Sequence, residues 1–131
     1  MSRSYRALGD IGTCRFVTQS ASYDDAITES NSGDQPIGVS GKDTRTPPYS
    51  GLDDGLHAVS GEAALVYTAG DEALLDLGGT VTAGDYVKPD NSGKGVTSST
   101  DKDKVCAKAL ESGVDGERIR VIVLPPMQLS V

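Results

Sequence analysis

His57 is the chain's only histidine, and it follows closely on Asp53 and Asp54. An imidazole beside a carboxylate is the pairing from which a general base is built, but catalytic partners are normally assembled by the fold rather than by adjacency in the chain. No Gly-x-Ser-x-Gly nucleophile elbow accompanies them, so a surface histidine is expected. Zinc would need several His or Cys ligands; Cys14 and Cys106 lie far apart and show no metal-ligand spacing. Two isolated buried thiols are the expectation, with a single bridge as the alternative. Asp90-Asn91-Ser92-Gly93-Lys94-Gly95 has the look of an opening calcium loop, yet Lys94 stands at a ligand position and Asp101 where a bidentate Glu belongs. Turn chemistry explains it better. Gly93-Lys94-Gly95 lacks the Walker spacing and the Ser or Thr after the lysine. These residues assemble no catalytic or cofactor site, and the expectation is a protein that is not an enzyme, with no metal and no cofactor.

The elements that carry these residues are short strands. With 131 residues the chain fits one domain, and its 16 Gly and 6 Pro imply many turns. Having no Trp and one Phe, it must fill its core with Val, Leu, Ile and Ala. The formal net charge of −7 reads as a solubility device. Arg3, Arg6 and Arg15, then Lys102, Lys104 and Lys108, then Arg118 and Arg120 are spread as on solvated strand faces, without the stripe of a nucleic-acid binder. Met1 to Asp10 has no apolar signal-peptide core, and no apolar run approaches a membrane span. Synthesis and folding in a cytoplasm, with no nucleic-acid or membrane partner, are the expectation.

Along the chain, residues 1–60 are polar and irregular, with convincing strands only at Cys14–Thr18 and Pro36–Ser40. Ser20–Gly33 reads as a surface loop, and Thr46-Pro47-Pro48-Tyr49 as extended chain. From residue 58 the rhythm is regular: a strand start at Ala58–Ser60, then strands at Ala63–Thr68, Ala73–Leu77, Asp85–Lys88, Gly95–Ser98 and Arg118–Leu124, the last ended by Pro125-Pro126. Thr-Ala-Gly-Asp occurs at 68–71 and 82–85, and Asn-Ser-Gly at 31–33 and 91–93, each read as one turn solved twice. Thr100–Gly113 carries helix signals, a capping box at Thr100 and Asp103 and a stop at Gly113, but also strand alternation, and pattern alone leans to helix.

An ordered series of segments resembles the capsid cement, or head-decoration, proteins of tailed bacteriophages. It runs through Pro36-Ile37-Gly38-Val39-Ser40, Thr44-Arg45, Pro47-Pro48-Tyr49, Gly61, Leu65-Val66-Tyr67 and Leu74-Leu75-Asp76-Leu77-Gly78-Gly79-Thr80-Val81. It continues through Ala83-Gly84-Asp85-Tyr86-Val87-Lys88, Gly93-Lys94-Gly95-Val96, Ala107-Lys108-Ala109-Leu110-Glu111 and Gly116-Glu117-Arg118-Ile119-Arg120-Val121. The resemblance implies an all-β barrel or sandwich and makes Val105–Glu111 a strand. It implies a structural virion protein, commonly a homotrimer. Such a protein would sit on the outer capsid surface at three-fold or quasi-three-fold junctions, with the major capsid protein as partner, and stabilise the expanded head. The division expected is an arm at 1–30 with one strand, partly flexible, a β-domain at 31–126 and a tail at 127–131. Two regions suit capsid or inter-subunit contacts: the arm, through Tyr5, Arg6 and Phe16, and the loop carrying Arg45, Pro47 and Tyr49. On this division, deleting residues 1–12 leaves a folded trimer that no longer decorates heads. Two other readings stay open. One is a carbohydrate- or receptor-binding β-module on the virion using Tyr23, Tyr49 and Tyr86; the other is a metal-dependent hydrolase using Asp53, Asp54 and Asp85.

Overall fold

The computed structural model describes residues 2–20, 23, 25–42, 56–98 and 103–128, and every regular element among them is a strand. In chain order these are β1 (Ser2–Ala7), β2 (Ile11–Gly12), β3 (Phe16–Gln19), β4 (Ala26–Glu29), β5 (Gly38–Ser40) and β6 (Leu56–Ala58). Then come β7 (Ala63–Tyr67), β8 (Glu72–Asp76), β9 (Tyr86–Pro89), β10 (Gly95–Thr97), β11 (Lys104–Ala109) and β12 (Arg118–Gln128). The all-β class expected from the sequence is the class observed. Strands β1, β4, β3, β5 and β7 close into a barrel, β10, β9, β11, β12 and β8 form a second sheet, and β2 pairs with β6.

Two apolar clusters hold these layers. Inside the barrel lie Ala7, Ile11, Val17, Ile27, Ala58, Ala64 and Val66, with Ile11 and Ala58 supplied by the β2–β6 pair. The second cluster joins Phe16 and Val39 of the barrel wall to Leu75, Val87, Ala107, Ile119, Val121 and Val123 of the other sheet. Successive strand side chains point to opposite faces, so Phe16 faces the second sheet while Val17 faces the barrel interior, both fully buried.

The first thirty residues are therefore not an arm with one strand. They contain β1 to β4, and β1 is a stave of the barrel, antiparallel to β7 and parallel to β4. The expected loop at Ser20–Gly33 contains β4, whose Ala26 and Ile27 are fully buried. Within 100–113 the strand reading holds over Lys104–Ala109. The expected stop at Pro125-Pro126 does not occur, because β12 runs on to Gln128. The ladder slips between Val105 and Ala107, whose partners are Met127 and Val123. The prolines fall in the wider loop of that bulge, where no ladder N–H is demanded of them.

One turn recurs five times among the described residues. In Asn31–Asp34, Val59–Glu62, Thr68–Asp71, Thr82–Asp85 and Val114–Glu117 the third residue is Gly with φ between 88° and 95°. The fourth residue's N–H donates to the first residue's carbonyl at 3.0–3.1 Å, and its carboxylate accepts the first residue's N–H at 2.8–3.1 Å. These are type II turns closed twice over by the acidic side chain. The two Thr-Ala-Gly-Asp copies are indeed one turn. The two Asn-Ser-Gly copies are not: at 91–93 the turn is capped by Asp90, whose Oδ1 accepts the N–H groups of Ser92 and Lys94 at 2.8 and 3.0 Å. Part of the acidic excess is thus structural rather than only solvating. Gly84 has open space where a Cβ would go, so Gly84→Ala tests φ alone. It is expected to cost about 1–2 kcal/mol, while Gly9→Ala should stay within about 0.5 kcal/mol, both read from urea midpoints at unchanged slope.

Candidate functional site

Of the side chains singled out from sequence, Arg6 is at the surface, on β1 beside the chain leading into β4. Its Nη2 lies 3.4 Å from Asp25 Oδ1, and its guanidinium carbon lies 4.8 Å from the ring centre of Tyr23. Tyr23 is 54% exposed. The pair makes a surface knob of two residue types that dominate binding energies at protein interfaces. Tyr5 is half-buried against the barrel cluster. Phe16 is fully buried between the layers, so its ring belongs to the core and not to the exposed surface expected of a contact residue. Arg45, Pro47 and Tyr49, like Asp53, Asp54 and Asp101, lie outside the described residues.

The groups that suggested catalysis have structural tasks. His57, half-buried rather than at the open surface, accepts the Leu65 N–H on Nε2 at 2.9 Å and so ties β6 to β7. Asp85 closes its turn and accepts the Thr97 hydroxyl at 3.1 Å. Among the described residues, no three His, Cys, Asp or Glu side chains converge as metal ligands. Cys14 and Cys106 are free and buried. Burial pushes the Cys14 thiol up to about 11 and the Cys106 thiol higher still. A folded-state value above the unfolded one means that the buried, protonated Cys14 contributes fully below about pH 9 and that this contribution is lost as pH rises to about 11. Neither thiol should react with Ellman's reagent at pH 8 until denaturant is added; fast labelling of the native chain would contradict the burial.

A second surface feature is a cleft of about 390 Å³ lined by Arg15, Asp76, Leu77, Lys94, Gly116 and Arg118. Its construction starts at Cys14, held at φ 54°, a conformation uncommon for a residue with a side chain. The Cys14 carbonyl accepts the Asp76 N–H at 2.9 Å. Ser40 fixes the next residue: its Oγ accepts the Arg15 N–H at 3.0 Å and donates to the Gly12 carbonyl at 2.7 Å. Strand register sets Arg118 opposite Asp76. Arg118 Nε donates to Asp76 Oδ1 at 2.6 Å and its Nη2 to Thr13 Oγ1 at 3.3 Å. That bond to Asp76 holds the Arg118 guanidinium above its already high value, so it stays charged. Arg15 Nη1 donates to the Ser92 carbonyl at 3.0 Å, while its buried Nε, 3.6 Å from Asp76 Oδ2, has no hydrogen-bond partner. Lys94 also lines the cleft, its Cβ standing 3.3 Å from where a side chain at Gly78 would begin. Along the sequence Arg15 and Arg118 are only dispersed charges, and the sole hint of the cleft is Asp76 inside the apolar run Leu74–Leu77.

The fold is similar to that of the head fiber gp8.5 N base of bacteriophage phi29, with a TM-score of 0.67 at 17% identity over 98% of each chain. At that identity the likeness speaks for the fold. No protein-family model matches the sequence. No curated protein matches it either.

Proposed function

We propose that this chain is a structural protein of a phage virion that acts by binding rather than by catalysis. It would bind the outer capsid surface where several copies of the major capsid protein meet, at three-fold or quasi-three-fold junctions. The observation that carries this reading is the end-to-end likeness of fold to a phage head fiber base, which spans 98% of both chains. The ordered resemblance to cement proteins points the same way from an independent direction. Physically, a protein that binds only the expanded arrangement of the shell stabilises it by its binding free energy. A homotrimer would engage three equivalent contacts, so each can be weak. A closed barrel suits the task because it presents few strand edges and a stiff surface. The Arg6–Tyr23 knob supplies a contact of the expected kind. Calorimetry of undecorated expanded heads provides the test: saturating protein should raise the disassembly temperature by several degrees. No shift with cognate heads would overturn the stabilising role.

A further inference from the structure

We infer that the cleft between Arg15, Lys94 and Arg118 is a socket for a carboxylate presented by an acidic segment of the protein partner. The inference rests on the capsid-binding reading for the partner's identity, but the chemistry of the cleft is independent of it. The cleft lining holds three cations and one carboxylate, Asp76, in a chain whose net charge is −7, with Glu29 beside Arg15 and Asp90 beside the Lys94 Cβ just outside the lining. Asp76 is shared between Arg118, at 2.6 and 3.4 Å, and Arg15, whose Nε lies 3.6 Å from Oδ2, so one carboxylate offsets two guanidiniums. Arg15 Nη2, Arg118 Nη1 and Lys94 Nζ make no hydrogen bond to a described residue. Glu29, the nearest other carboxylate along β4, stands beside the Arg15 side chain and accepts the Gly12 N–H at 2.8 Å. Two other cations of the second sheet are neutralised: Arg120 lies between Glu72 and Glu111, and Lys88 pairs with Asp103 at 3.2 Å.

Two guanidiniums and an ammonium around an open cleft offer forked donors that match a carboxylate. The net charge of the chain repels an extended polyanion at long range, whereas a single carboxylate brought in by a docked protein feels chiefly the charges within a Debye length, about 8 Å. An acidic side chain of a protein therefore fits better than a nucleic acid.

The test is an NMR titration of the labelled protein at low salt with an acetylated triglutamate peptide, and with inorganic phosphate in parallel. Saturable shifts at Arg15, Asp76, Lys94 and Arg118 are expected with the peptide. Lys94→Glu should weaken binding by roughly tenfold or more, whereas Lys104→Glu, at an exposed lysine outside the cleft lining, should leave it unchanged. Asp76→Asn should bind the peptide several-fold more tightly even though it folds less stably, because it removes the competing carboxylate; a merely structural role for Asp76 predicts no gain. Lys94→Gln serves if the reversed charge does not fold. Absence of saturation, equal weakening by Lys104→Glu, or phosphate saturating the cleft at lower concentration than the peptide would overturn the carboxylate assignment. Binding of the variants to expanded heads separates the two proposals. Peptide binding without head binding sinks the capsid reading alone, and head binding unaffected by Lys94→Glu sinks the socket alone.

Discussion

Removal of residues 1–12 is expected to leave no cooperatively folded domain. Strand β1 closes the barrel, with Ser2 to Arg6 paired to Tyr67 to Ala63 and with Arg6 and Ala7 beside Ala26 and Ile27. The truncation removes Ala7 and Ile11 from the barrel cluster. It also strips backbone bonds beyond the strand ladders, including Arg6 N–H to the Asp25 carbonyl, Ala7 N–H to Glu62, Leu8 N–H to Ile27 and Gly61 N–H to Ala7. Two strand edges, on β4 and β7, open at once, and Val17, Ile27 and Val66 lose their cover. The loss exceeds the whole stability of a typical domain, about 5–15 kcal/mol. Circular dichroism melting and amide dispersion provide the readout: a flat melt is expected, and a sharp transition in the truncated chain would contradict the barrel. Loss of head decoration on truncation would then report unfolding, not a missing arm. Arg6→Ala and Tyr23→Ala are the informative variants for that surface.

Phe16→Ala is expected to be the most damaging single truncation of a side chain, at about 3–5 kcal/mol. The ring is fully buried in the cluster that joins the barrel to the second sheet. The chain contains no other Phe and no Trp, and none of the other buried members of that cluster is as large; the bigger Tyr67 is only partly buried against it. Against a stability of about 5–15 kcal/mol this leaves a marginal protein. Phe16→Leu should cost far less, about 1.5 kcal/mol or under, since much of the volume is kept. Urea unfolding at constant slope separates the two; a loss under about 1 kcal/mol for Phe16→Ala would mean that the two layers do not depend on this contact.

The second half of the fold was legible because its strands are buried on one face and wet on the other. Ala63–Tyr67 alternates exposed and buried, as does Glu72–Asp76, and the turns between them carry a glycine and an acid at fixed places. The first half was not, because a narrow barrel must be filled with small side chains. Ala7, Ala58 and Ala64 line it, and alanines among Ser, Thr and Asp give almost no periodic signal. β3 is buried on both faces, so Phe16 read as an exposed candidate when it is core. In β11 the bulge leaves Val105, Cys106 and Ala107 all buried, which breaks strict alternation and lets helix signals compete. The Arg15–Asp76–Arg118 cleft depends on strand register and on the positive φ of Cys14, and neither can be read from spacing along the chain.

Co-sedimentation of the purified protein with cognate phage heads decides whether the proposed binding to a mature capsid surface occurs. Saturable binding to expanded, undecorated heads is expected, with little or none to unexpanded ones. Failure to bind either form would contradict it.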